Sequence, residues 1–242
     1  MEIRYALAVV TGAGGGLGRE VAVALARRGA AVLAADRDPA AAQETATLVR
    51  EQRVGGWAFA CDVTEEPELR ALAGRARDLG GADVLVNNAG GWTPGGEQFP
   101  AAPYAAWSRT LDLNLRAPML LTQLFLDDLE HRRGPRGVGA VVNVASSATL
   151  GTDGYDSPEY AAAKAGLIRF TTALGDLATG ARARVTAVAP GWIGLPRAHA
   201  EWAALDEDQQ ALLPPLVPPA DVTRAVVDLV AHGRPGQVVE LL

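Results

Sequence analysis

Tyr160 and Lys164 stand four residues apart in Ser157-Pro158-Glu159-Tyr160-Ala161-Ala162-Ala163-Lys164, and Ser147 lies thirteen residues before the tyrosine. On a helix, residues four apart share a face, so this phenol and this ammonium come together. A phenol with a reference pKa near ~10 is a poor acid or base at neutral pH. A neighbouring cation favours the phenolate and lowers that pKa. The pair reads as a proton-transfer device, with the Ser147 hydroxyl available to hold a substrate oxygen.

A second group of residues suits phosphate. Thr11-Gly12-Ala13-Gly14-Gly15-Gly16-Leu17-Gly18 follows an apolar run and opens an amphipathic one. Small residues there, with Gly12, Gly15, Gly16, Leu17 and Gly18 as the candidates, let the backbone approach a pyrophosphate. The helix that follows supplies N–H donors and the positive end of its dipole. Asp36 ends the next apolar run. A carboxylate there can accept from both ribose hydroxyls of an adenosine and repels a 2′-phosphate, which favours NAD over NADP. Arg37 could pair with a 2′-phosphate, lie over the adenine or point to solvent. Asp62-Val63 closes a third run and could touch the adenine, and the start of the next helix is nearly as good a role for Asp62.

The elements that must position these groups follow from periodicity. Strands are expected at Ala6–Val10, Ala31–Ala35, Gly56–Ala60, Val84–Val86, Ala140–Val144, Val185–Val188 and Val238–Val239. Helices are expected at Arg19–Arg28, Pro39–Gln52, Glu65–Leu79, Tyr104–Leu115, Ala117–Glu130 and Glu159–Leu177. Continuous apolar strands separated by helices imply a parallel sheet covered on both faces, and right-handed crossovers make it doubly wound. The fold class is therefore α/β, in one domain spanning 1–242. Pro190 to Pro219, rich in proline and tryptophan, reads as an irregular segment and a substrate lid.

Composition narrows the function. The net charge of −6 argues against a nucleic-acid or anionic-membrane surface. No apolar stretch is long enough to span a membrane, and the first residues, Met1-Glu2-Ile3-Arg4-Tyr5, show no signal-peptide pattern. Cys61, the single cysteine, permits no internal disulfide, which fits a reducing cytosol, and reads as a small buried apolar group. His131, His199 and His232 lack metal-ligand spacing, so no metal is expected.

Together the residues resemble one family, the short-chain dehydrogenases/reductases. The resemblance covers nearly the whole chain and rests on Thr11-Gly12-x-x-x-Gly16-x-Gly18, Asn87-Asn88-Ala89-Gly90, Asn114, Ser147, Tyr160-x-x-x-Lys164 and Pro190-Gly191, in that order. It implies a Rossmann-type sheet of seven strands in the order 3-2-1-4-5-6-7, an NAD(P)-dependent oxidoreductase, and a homodimer or homotetramer. Carried onto this chain, Tyr160 is the acid/base and Ser147, rather than its neighbour Ser146, polarises the reacting oxygen. Lys164 tunes the tyrosine and holds the nicotinamide ribose. Asn114 holds a water that links Lys164 to solvent. Asn88, Ala89 and Gly90 pack beside the adenosine ribose, and Ile193, after Pro190-Gly191, lies near the nicotinamide carboxamide. Two positions depart from the family pattern: Leu195 stands where threonine is frequent, and the chain's last residues, ending at Leu242, lack an Asp-Gly-Gly.

The expected chemistry is hydride transfer between a nicotinamide and a carbinol carbon. Trp92, Ser147, Leu150, Tyr155, Trp192 and Trp202 are the expected pocket, which suits a hydrophobic cyclic or aromatic secondary alcohol or its ketone. Arg197 and His199 could instead bind an anionic tail. Two other readings stand beside this one: an NADPH-dependent ketoacyl-thioester or polyketide reductase, and a regulator that binds NAD without turnover.

Overall fold

In the computed structural model, residues 1–91, 97, 99–132, 138–147, 157–177 and 183–242 are described. Seven strands are described: β1 (Leu7–Thr11), β2 (Ala31–Asp36), β3 (Gly56–Ala60), β4 (Val84–Asn87), β5 (Gly139–Val144), β6 (Ala183–Pro190) and β7 (Val238–Leu241). They form one parallel sheet in the order β3-β2-β1-β4-β5-β6-β7. The central strands β1, β4 and β5 are buried at every residue, while the edge strands β3 and β7 are only partly covered. That difference is why the central strands read as unbroken apolar runs.

Side chains alternate across the sheet. Ala8 and Val10 of β1 and Ala140, Val142 and Val144 of β5 enter one core, together with Val21 and Leu25 of α1 (Gly16–Arg27). Val9 and Val141 enter the other core. There they meet Leu69 and Leu72 of α3 (Glu66–Asp78) and Leu121 and Phe125 of α5 (Ala117–His131). Between α1 and α3 lies α2 (Pro39–Glu51), which begins where Asp38 accepts from the N–H groups of Ala40 and Ala41.

The expected gap between two helices at Arg116 is absent. Helix α4 (Tyr104–Leu111) runs through a π-helical turn, Asp112–Arg116, straight into α5. Pro118 has no N–H for the carbonyl of Asn114 and crowds it, so the helix widens instead of breaking. Ala117 N–H reaches back five residues to the Asp112 carbonyl. After β5 comes α6 (Pro158–Leu177), the longest helix described.

The irregular segment expected at 190–219 is corrected by two helices, α7 (Pro196–Ala203) and α8 (Glu207–Ala211), before α9 (Pro219–His232). Asp206 caps α8 in a reciprocal arrangement with Gln209. Ile193 pairs with Val217, and Val217 N–H donates to the Trp192 carbonyl at 2.8 Å, so the two ends of the segment are fastened together.

Candidate active site

The carboxyl ends of β1, β4, β5 and β6 converge on one region, and the β1–α1 turn is its floor. Thr11 ends β1, and its hydroxyl accepts from the N–H groups of Asn88 and Ala89, both at 3.1 Å. The Asn88 amide donates to the carbonyls of Thr11 and Gly12 at 2.9 and 3.1 Å, which binds the end of β4 to the turn. Gly12 has φ +63°, a conformation that suits glycine. At the start of α1 the cap position is Gly15, which offers no side chain, and a Cβ built there would meet nothing within 4 Å. An open, side-chain-free helix start of this kind receives an anion well.

Sequence reasoning missed how this turn is braced from behind. The Thr45 hydroxyl donates to the Ala13 carbonyl at 2.7 Å. Arg19 donates to Thr45, to the Gly14 carbonyl and to Glu44. Thr45 sits on α2, and no local pattern announces a partner 32 residues away.

At the end of β2, the Asp36 carboxylate accepts from Gly14 N–H at 2.8 Å and from Asp38 N–H at 3.0 Å. It thus anchors the glycine turn while facing the same end of the sheet, and Arg37 beside it is exposed. Asp62 follows β3. Its Oδ1 accepts from the backbone and hydroxyl of Thr64, and its Oδ2 from Arg109 of α4 at 2.8 Å. Glu65, not Asp62, is the cap residue of α3. Val63 is buried against the core. Cys61 is buried too, and that burial, with Glu68 and Asp62 nearby, pushes its thiol up to about 12, so it is inert.

Helix α6 carries the tyrosine and the lysine, and both are buried. Lys164 Nζ lies 5.7 Å from the centre of the Tyr160 ring. It donates to the Val144 carbonyl at the end of β5 at 2.7 Å. Burial lowers its pKa from 10.5 to about 8. Gly90 is the reason this cation has room: a Cβ there would stand 2.8 Å from Lys164 Nζ and 2.9 Å from Asn114 Oδ1. Lys164 and Asn114 therefore flank the same small space. The π turn aims Asn114 inward, and its amide is held by the N–H and carbonyl of Gly91 and by the Thr110 carbonyl. Asn87 serves the scaffold instead, linking β4 to Asn143 and Thr122.

Ser147 follows β5 and lies across from the turn after β6. A Cβ on Gly191 would be 3.8 Å from the Ser147 hydroxyl. Gly191 N–H donates to the Leu241 carbonyl at 2.7 Å, and Pro190 pairs with Leu241, so β7 fixes that turn. Ile193 is partly buried against the core, and Leu195 rests on the glycine turn, its Cδ1 3.3 Å from where a Cβ on Gly16 would be. Trp192 and Trp202 meet at 5.9 Å between ring centres. Arg197 pairs with Glu201 at 3.1 Å. Trp92, Leu150 and Tyr155 lie outside the described residues.

Known proteins resemble this chain in sequence and in fold. The family described as short chain dehydrogenase matches residues 6–205. The 7alpha-hydroxysteroid dehydrogenase of Escherichia coli (strain K12) is 35% identical over 189 residues, covering 77% of this chain and 70% of that protein. The (3R)-3-hydroxyacyl-CoA dehydrogenase of Rattus norvegicus is 35% identical over 207 residues, covering 81% and 77%. A solved 7 alpha-hydroxysteroid dehydrogenase complexed with NADH and 7-oxo glycochenodeoxycholic acid superposes with a TM-score of 0.86 at 28% identity, covering 99% of this chain and 94% of that one. The chain belongs to the short-chain dehydrogenase family of oxidoreductases.

Proposed function

We propose that this protein is an NAD(H)-dependent oxidoreductase that interconverts a secondary alcohol and a ketone, with Tyr160 as the acid/base. The observation that carries the reading is the buried Lys164 ammonium, 5.7 Å from the Tyr160 ring and beside Asn114. A nicotinamide, when bound, supplies the hydride acceptor or donor. The open start of α1 and the Asp36 carboxylate fit the pyrophosphate and adenosine ribose of such a dinucleotide. Asp36 in place of a basic residue favours the form without a 2′-phosphate.

In this reading Ser147 hydrogen-bonds the reacting oxygen and Tyr160 takes its proton during oxidation. Lys164 lowers the cost of the phenolate and reaches the nicotinamide ribose. Asn114, beside Lys164, passes the proton outward through water. Trp192, next to the Gly191 that faces Ser147, and Trp202 packed on it form an aromatic wall for a hydrophobic cyclic or aromatic substrate. The segment 190–219, with its two short helices, acts as the lid, and the chain works as a cytosolic homodimer or homotetramer. A thioester-linked ketone is the second reading, because the hydroxyacyl-CoA enzyme is similar over 207 residues. Asp36 weighs against the NADPH-dependent form of it.

The test is titration with NADH and NADPH, followed by a panel of secondary alcohols, ketones and acyl thioesters, with Tyr160→Phe as control. The proposal expects NADH to bind, a neutral cyclic alcohol to turn over, and Tyr160→Phe to keep cofactor binding while losing about 10²–10⁴-fold in kcat. Tight dinucleotide binding with no turnover on any member of the panel would move the protein to the regulator class.

A further inference from the structure

We infer that Arg109 is a positioning residue for the adenine base: it turns the Asp62 carboxylate so that one lone pair of Oδ2 faces the exocyclic amino group. The inference rests on the dinucleotide reading above. Asp36 and Asp62 stand on neighbouring strands at the same end of the sheet. Asp36 pairs with Ala60, and Cys61 N–H donates to the Asp36 carbonyl at 2.8 Å. A ribose held by Asp36 therefore carries its base toward the strand ends where Asp62 and Val63 stand.

Hydrogen-bond capacity then decides what Asp62 can accept. Each carboxylate oxygen has about two lone-pair sites. Oδ1 is filled by Thr64 N–H at 2.9 Å and the Thr64 hydroxyl at 2.7 Å. Among the described residues Oδ2 takes one donor, Arg109 Nη2 at 2.8 Å, which leaves one site open. The Asp62 backbone is fixed as well, its N–H donating to Glu68 at 2.7 Å. The carboxyl is held below the ordinary carboxylate range: burial alone would raise it, and the two Thr64 bonds and Arg109 outweigh burial. Asp62 is thus a lasting acceptor with one vacancy, and Arg109 sets its direction.

Adenine presents an N–H at that vacancy. Hypoxanthine presents a carbonyl oxygen, which would face a carboxylate with no proton between them. The Arg109 side chain is 56% exposed, and exposed ion pairs contribute little to stability, so removing it should not disturb the fold.

The experiment measures dissociation constants for NADH and for its hypoxanthine analogue, reduced nicotinamide hypoxanthine dinucleotide, by quenching of tryptophan fluorescence. Wild type, Arg109→Met and Arg109→Lys are compared, with Tm as the folding control. Wild type should prefer NADH by about tenfold, the worth of one hydrogen bond to a charged acceptor. Arg109→Met should reduce the preference to about twofold and Arg109→Lys should restore part of it, with Tm unchanged in both. A merely structural Arg109 would weaken both dinucleotides equally and leave the ratio intact, which overturns the inference. Equal binding of the two dinucleotides by wild type overturns it as well. Failure of the folded wild type to bind NADH at all removes the dinucleotide reading and this inference together.

Discussion

Gly15→Ala separates a glycine needed by a ligand from a glycine needed by the fold. Gly15 is the cap residue of α1, with φ −168° and ψ −176°, extended backbone that alanine adopts freely. A Cβ there would meet nothing within 4 Å. Replacing glycine by alanine stiffens the unfolded chain and stabilises by about 0.4–1 kcal/mol. Alanine is also a poorer cap than glycine, by roughly half a kcal/mol. The two effects nearly cancel, so urea unfolding should move by less than about 1 kcal/mol. The dinucleotide should lose far more, because the methyl group occupies the space through which a pyrophosphate approaches the helix N–H groups. Losing one charge-assisted hydrogen bond, worth about 1.5–3 kcal/mol, weakens NADH binding about 10- to 100-fold. Gly18→Ala provides the contrast: its Cβ would lie 2.1 Å from the Gly12 carbonyl oxygen and 2.5 Å from the Asn88 amide nitrogen. Backbone on one side and a tethered amide on the other cannot retreat, so that variant loses stability at or above the upper end of about 1–3 kcal/mol. The assay is urea unfolding of both variants alongside NADH titration by fluorescence. Normal NADH affinity in a fully folded Gly15→Ala protein would refute the placement of the pyrophosphate at α1.

Thr11→Val removes the hydroxyl that accepts from Ala89 N–H and shares Asn88 N–H with the Val86 carbonyl, so one N–H loses its acceptor and the unfolding free energy in urea should fall by about 1–3 kcal/mol. Lys164 makes a pH prediction through its depressed pKa of about 8. Below that pH the ammonium is charged in both the folded and unfolded states and its burial is a cost. Between about 8 and the ordinary 10.5 the folded state sheds a proton that the unfolded state keeps, so this group's contribution to stability rises with pH. Wild type should therefore gain roughly 2–3 kcal/mol relative to Lys164→Met between pH 7 and pH 10, by paired urea melts. A flat difference would place the lysine in a more solvated site.

Much of the sheet was legible because strands buried on both faces have no choice of residue type. Val84–Val86 and Ala140–Val144 need no partner in view to be read as central strands. The Tyr160–Lys164 pairing was legible for a similar reason: the two are joined by a single helical turn, so their sequence separation is their geometry. Prolines misled the reading at 190–219, because they punctuate loops and helix starts alike. Pro196 and Pro219 occupy first-turn positions of α7 and α9, where a missing N–H costs nothing. The Asp206–Gln209 capping pair in the same stretch was a readable start signal that the proline density obscured.

Contacts across long separations were illegible, and they decide how firmly the site is held. Arg19, Thr45 and Ala13 brace the glycine turn from α2, yet each is unremarkable in its own segment. Arg109 reaches Asp62 across 47 residues, and only the fold reveals that the carboxylate at the expected adenine position is already shared. The Trp192–Trp202 pair is intermediate. Its members are ten apart, a separation that brings two side chains together only if the chain turns back between them. Here Ile193 pairs with Val217 and Pro196 starts α7, which carries Trp202 back over Trp192. Residue types alone therefore give the reaction class, because proton transfer needs particular groups at local spacing. The shape of a substrate pocket depends on side chains that the sheet and the helices around it bring together from distant segments, and those must be read from the structure.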